Sequence, residues 1–240
     1  MSYTKRFDGR KANEMRKIKA ELGVVKNADG SALFAFGDTI AIAAVYGPRV
    51  LHPQHMQNPK KGLLRVNYDM LSFSVNERKR PGISRRSQEI SKVTEWALAP
   101  VIDLEQFPNT VVDVFIQILQ ANASTRCAGI NAASLALAAA GVPMKDLICS
   151  VSMGKIDDKI VVDLIKEEED VEEGEGATDI PIAMLPKSNE ITLMQLDGKI
   201  GKEQVDEVLK MAKEACQEVY NIQKETLKKV KEKWKWKYQT

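Results

Sequence analysis

The sequence is poor in the residues from which soft-metal sites and disulfide frameworks are made, with three cysteines and two histidines in 240 residues. Cys127, Cys149 and Cys216 stand far apart inside apolar stretches, with no CxxC motif and no histidine at metal-ligand spacing. Buried thiols of a reducing compartment are therefore expected, rather than a zinc or redox centre. No apolar run reaches the roughly 18 residues of a membrane span, and the opening MSYTKRFDGRK is polar and charged, unlike a secretory leader. A soluble cytoplasmic protein is the expectation. What the chain does have is 44% hydrophobic residues, enough for one large core or two modest ones without covalent staples.

Net charge is nearly absent too, at +2, but the charges are segregated. Lys60, Lys61, Arg65, Arg78, Lys79, Arg80, Arg85 and Arg86 face only Asp69 and Glu77 between residues 60 and 86. That density suits a phosphate-contacting surface. From 166 to 179 the sign inverts, with Glu167, Glu168, Glu169, Asp170, Glu172, Glu173, Glu175 and Asp179 against Lys166 alone. A solvated loop is the ordinary reading of either run.

Apolar periodicity predicts strands over 21–26, 31–36 and 38–47, a meander with turns at Ala28-Asp29-Gly30 and Gly37-Asp38, and a fourth strand over 62–71. Pro81 and Gly82 keep NERKRPGIS irregular, and an amphipathic helix follows from Ser84 to Glu105, with Ser84 as N-cap and Ile90, Val93, Ala97, Val101 and Leu104 as its stripe. Thr110–Leu119 is a β-branched strand, and Ser124–Ala140 an alanine-rich helix stopped by Gly141 and Pro143. Strands over 147–157, 159–165, 180–185 and 190–197 and a helix over Lys202–Lys233 repeat the order in shorter form, without residue-level repetition. One module over 1–240 is expected, its halves 16–146 and 147–240 sharing a core in a layered α+β or α/β sandwich.

Three segments can carry chemistry. SRRSQEIS places Arg85 and Arg86 in the first turn of a helix, where the dipole disfavours cations unless an anion sits there too. The plain alternative is that they face solvent or bridge to Glu89. LQANASTRCAGINAAS ends a strand and starts a helix with Ser124, Thr125 and Arg126. Free N–H groups, two hydroxyls and a guanidinium make an anion pocket, although ordinary capping by Asn122 or Ser124 explains the same residues. EEEDVEEGEGATDIPIA crowds carboxylates, which raise one another's pKa and can supply an acid or share Mg²⁺ with phosphate oxygens.

The segments Phe7-Asp8-Gly9-Arg10, Gly23-Val24, Ala28-Asp29-Gly30-Ser31, Tyr46-Gly47-Pro48-Arg49, Arg85-Arg86-Ser87-Gln88-Glu89-Ile90, Leu119-Gln120-Ala121 and Asp179-Ile180-Pro181-Ile182-Ala183 together resemble the ribonuclease PH family. The likeness is to its catalytic archaeal-exosome branch and spans nearly the whole chain apart from the tail. It implies a ribosomal-protein-S5-domain-2-like α+β fold, with two mixed sheets and helices packed between or against them. It also implies 3′-to-5′ RNA decay in which inorganic phosphate, as co-substrate, releases nucleoside diphosphates. The implied partners are a single-stranded RNA 3′ end, an inactive paralogue alternating in a hexameric ring, and an RNA-binding cap.

Carried over by position, Arg86, Ser124, Thr125 and Arg126 would hold phosphate, and Arg65 and Arg85 would grip RNA. Asp170 and Asp179 would be the catalytic carboxylates and the candidate Mg²⁺ ligands. Two departures stand out. Members of the family usually space the two aspartates by six, which here lands on Glu173, so an insertion within Glu172 to Gly176 is needed to favour Asp170. Asn122 and Ser124 stand where an acidic residue and glycine are common, and the Ser124 Cβ crowds a position of close approach. The chemistry is coherent because phosphoryl transfer depends on positioning and charge neutralisation. A ring subunit that grips RNA without turnover, or an S5-like structural RNA binder, would share the fold. The tail KKVKEKWKWKYQT interleaves lysines with Trp234, Trp236 and Tyr238, for stacking bases or docking on a neighbour.

Overall fold

The computed structural model describes residues 6–171 and 176–237, with the side chains of the last helix described through residue 229. Glu173, the side chains of Trp234 and Trp236, and Tyr238 therefore lie outside the described residues.

The first sheet has five strands in the order β1-β2-β3-β5-β4. They are β1 (Ile18–Leu22), β2 (Gly30–Phe36), β3 (Thr39–Val50), β4 (Leu63–Met70) and β5 (Thr110–Gln120). The expected first strand over 21–26 is displaced towards the N-terminus. At φ +72 Gly23 turns the chain out of the sheet, and its N–H is taken by Ser31 O at 2.8 Å, so Val24 and Val25 belong to a loop. The only parallel pairing in this sheet is β4 with β5. A long excursion through the first helix separates those two strands, and parallel neighbours need such a crossover.

That helix, α1 (Arg85–Leu98), stops well before Glu105: Ala99 still has helical backbone and donates to Glu95 O at 2.9 Å, but Pro100 has no N–H to continue the ladder. Its buried residues are Ser87, Ile90, Thr94, Ala97 and Leu98, while Val93 is half-buried. Val101 still reaches the core from the turn that follows.

The second sheet has the order β7-β6-β8-β9, from β6 (Cys149–Ile156), β7 (Lys159–Val162), β8 (Ala177–Leu185) and β9 (Glu190–Met194). Every pairing in it is antiparallel, so only the first sheet is mixed. Tight connections such as Asp157-Asp158 allow no crossover. The acidic segment, expected as a loop, begins with one helical turn, α3 (Lys166–Glu169).

The helix α2 (Thr125–Ala139) lies between the sheets, against β2, β3 and β5 on one side and β6 and β8 on the other. From Thr125 to Leu137 every residue except Arg126 is buried. Two-sided burial explains the alanine-rich composition, because small side chains let the backbone approach both sheets. One apolar cluster joins Phe34, Ile116, Ile130 and Leu135 to Val151, Ile182 and Val219. Two polar residues within it are paired: Asn131 exchanges bonds of 2.7 and 3.0 Å with the Ser150 backbone, and Gln223 donates to Asn131 at 3.1 Å. Gln223 lies on α4 (Lys202–Lys237), which packs against β1, β6, β7 and β8. The three cysteines are buried and unpaired, and burial pushes Cys127 up to about 12. No described helix is long and apolar enough to cross a membrane.

Candidate active site

The start of α2 is built by strain and by contacts from distant segments. After β5 ends at Gln120, Ala123 and Ser124 both adopt left-handed backbone, φ +54 and +53. The Thr39 hydroxyl accepts from Asn122 N–H at 3.0 Å and donates to the Asn122 carbonyl at 2.8 Å, while Arg16 donates to that carbonyl at 2.7 Å. The capping by Asn122 or Ser124 weighed as the alternative does not occur. Ser124 Oγ turns away to donate to Asp163 Oδ1 at 3.1 Å, and Asn122 Oδ1 accepts from Lys166 N at 2.8 Å. With no side-chain cap on α2, its first-turn N–H groups stay open to an external anion.

Asp163 fixes this turn. Burial pushes its carboxyl up, but hydrogen bonds and charge from Arg16, with Arg10 behind, win and hold it below the ordinary 3.8. Arg16 grips it at 2.6 and 2.8 Å, and Arg10 at 3.3 Å.

The N-terminus of α1 is closed where that of α2 is open. Ser84 Oγ accepts from Ser87 N at 3.0 Å and Ser87 Oγ from Ser84 N at 2.8 Å, a reciprocal capping box. Helix α1 can therefore contribute guanidinium groups to an anion, but its own cap site is taken. Arg85 and Arg86 are both exposed. Glu89, weighed as their partner, instead accepts from Gln195 at 2.9 Å and lies 3.8 Å from Arg126. Arg126 also donates to Gln195 Oε1. Tyr68, buried beneath, experiences the positive charge of both Arg86 and Arg126.

Of the carboxylates, Asp179 belongs to this cluster. Burial raises its pKa, opposed by a hydrogen bond from Ser152, reinforced by the charge of Glu169, opposed by Arg126 and reinforced by Asp197. The balance is upward. Glu168 is a structural residue, wholly buried and bound by Arg6 at 2.8 and 2.9 Å. Asp170 is exposed and held by Lys166 at 2.5 Å. Arg65 faces outward on the first sheet, on the opposite side of β4 from Tyr68, and is gripped by Asp113 at 2.5 and 3.0 Å. The structure thus places Thr125, Arg126 and Asp179 together with Arg86 close by, turns the Ser124 hydroxyl elsewhere, and leaves Asp170 and Arg65 outside the cluster.

Among the described residues no three His, Cys, Asp or Glu side chains converge as metal ligands. Asp179 and Glu169 could hold Mg²⁺ only together with substrate phosphate oxygens and water, a set that Mg²⁺ accepts. Tyr68, Asp163 and Gln195 were not singled out from the sequence. Asp163 and Gln195 carry no local motif, whereas Tyr68 follows the basic residue of β4 at a buried strand position and could have been noticed.

Comparison with known proteins sets this geometry in context. Residues 14–143 match the 3′ exoribonuclease family, domain 1, and residues 146–215 match domain 2 of the same family. The chain is 54% identical over 224 residues to the exosome complex component Rrp41 of Thermococcus gammatolerans, covering 93% of this chain and 88% of that protein. It is 49% identical over 223 residues to the protein of that description in Methanopyrus kandleri, covering 93% and 92%. The crystal structure of rice Rrp46 superposes with a TM-score of 0.82 at 25% identity, over 93% of this chain and 100% of that one. A chain of the Archaeoglobus fulgidus exosome with RNA bound to the active site shares the fold, with a TM-score of 0.76 at 24% identity over 90% and 91%.

Proposed function

This chain belongs to the 3′ exoribonuclease family, and on that premise we propose that it shortens RNA from the 3′ end by phosphorolysis, as the catalytic subunit of an archaeal exosome ring. The observation that carries the reading is the uncapped N-terminus of α2, flanked by Arg126 and facing the raised-pKa Asp179. Open N–H groups and a guanidinium hold a tetrahedral anion, and a buried carboxyl can supply a proton beside it.

In this scheme inorganic phosphate lies against the first turn of α2, bound by backbone N–H groups, the Thr125 hydroxyl and Arg126, with Arg86 adding charge from α1. The neutral Gln195 amide and the 3.8 Å contact with Glu89 yield Arg126 to the stronger anion. A phosphate oxygen attacks the last phosphodiester phosphorus and the P–O3′ bond breaks. The terminal nucleotide leaves as a nucleoside diphosphate, and the departing 3′ oxygen takes a proton from the acidic segment. Asp179 is the buried reservoir for that proton, and Asp170 reaches the reacting oxygen only after releasing Lys166. Ser124 acts through the turn it shapes rather than through its hydroxyl. Arg85 and Arg65 contact RNA outside the cluster.

The relatives named as exosome components support assembly into an exosome complex; a cytoplasmic ring with an inactive paralogue and an RNA-binding cap as partners is part of the same proposal. Incubating the assembled ring with 3′-tailed RNA, with and without phosphate, tests the proposal. Nucleoside diphosphates formed only with phosphate support it. Nucleoside monophosphates formed without phosphate would replace phosphorolysis with hydrolysis, and RNA binding without products would leave a non-catalytic ring subunit.

A further inference from the structure

Tyr68 lies within this cluster, and the scheme does not use it. It lies on β4, its backbone N–H donates to Ser91 Oγ of α1 at 2.8 Å, and its ring packs against α2 where residue 129 has no side chain. A Cβ built on Gly129 would lie 3.6 Å from the ring, an ordinary contact distance, so the ring lies beside this turn of α2. The hydroxyl is buried without a hydrogen-bond partner of normal geometry among the described residues. Its polar neighbours are Thr125 and the charges of Arg86, Arg126 and Asp69. A buried hydroxyl left unpaired is rare and unfavourable, and this one is directed at the open helix start.

We propose that Tyr68 is a positioning residue for the anion at α2: with phosphate bound, its hydroxyl donates to Thr125 Oγ, committing the Thr125 proton to a phosphate oxygen. The inference rests on the reading of α2 as the phosphate site. Each hydroxyl has one proton and accepts through its oxygen, so the order Tyr68 to Thr125 to anion satisfies every group. Burial dominates the environment of the phenol and pushes it up to about 12, so it stays a donor throughout the working range.

The test is Tyr68→Phe in the assembled ring, with kinetics in inorganic phosphate. The KM for phosphate should rise about fivefold, the loss expected of one hydrogen bond, with kcat at saturating phosphate and the Kd for RNA unchanged. Tyr68→Phe combined with Thr125→Val should be no worse than Thr125→Val alone, since the pair acts as one unit. The Tm without phosphate should not fall, because an unpaired hydroxyl is lost, while the rise in Tm on adding phosphate should shrink. Arg126→Ala serves as the control. If it raises the phosphate KM and Tyr68→Phe does not, the role of Tyr68 is overturned and the phosphate site stands. If neither raises it, the site itself is wrong. Additive effects of Tyr68→Phe and Thr125→Val, or a fall in Tm with loss of RNA binding, would also overturn the relay.

Discussion

Replacing Ser124 by glycine measures how much strain the α2 turn stores. At φ +53 a residue with a Cβ loses roughly 1–2 kcal/mol against the right-handed conformation, and glycine avoids that cost. Against this gain stands one hydroxyl proton, shared between Asp163 at 3.1 Å and the Leu164 carbonyl at 3.2 Å. With Asp163 already gripped by Arg16, that bond contributes about 1 kcal/mol. The freer unfolded chain of a glycine variant costs a further ~0.4–1 kcal/mol. The opposing quantities nearly cancel, so Ser124→Gly should unfold within about 1 kcal/mol of the parent. Ser124→Ala keeps the strain and loses the bond, so it should be less stable by about 1 kcal/mol. Urea midpoints at constant m distinguish the variants. In function, removing the Cβ opens the helix start, and the phosphate KM of Ser124→Gly should fall. A glycine variant clearly less stable than the alanine variant would show that the left-handed turn stores no strain.

Arg126→Ala and Arg86→Ala should each reduce phosphate-dependent decay by about 10²–10³ while RNA still binds, and unchanged nucleoside diphosphate release by both would remove them from the site. Because burial raises Asp179, its ionised form destabilises the fold above the folded-state pKa, and this penalty is absent below the ordinary 3.8. Asp179→Asn should therefore lose turnover yet gain Tm at pH 7, with the gain shrinking as pH falls towards 3.8; an unchanged or lower Tm at pH 7 contradicts the raised pKa. Arg6→Met breaks a buried pair in which the two side chains are 3% and 0% exposed, at a cost of about 3–5 kcal/mol in denaturant unfolding. A loss below 1 kcal/mol would show that the N-terminal segment does not anchor the acidic turn.

Periodicity, caps and breakers gave the order of elements because they act over one or two turns of chain. The β2–β3 hairpin, β5, α2 and the Ser84 cap all lie within a few residues of the sequence expectation. Helix α1 was overextended because its apolar stripe continues past Pro100 into a turn that is also buried. Of the site, Arg126, Thr125 and Asp179 were legible as types in motifs, and Asp170 and Arg65 were legible as charges whose directions were not.

By itself the sequence determined the order of the main helices and strands, that the cysteines are packed as apolar groups, and which family the chain joins. These follow from short-range sterics and from residue types at fixed spacing. Only the tertiary structure decided which groups meet. Ser124 turns to an aspartate 39 residues on, Glu168 is taken by an arginine 162 residues back, and Tyr68 is held between α1 and α2. Such contacts depend on how two sheets stack about one buried helix, and no local pattern encodes that stacking.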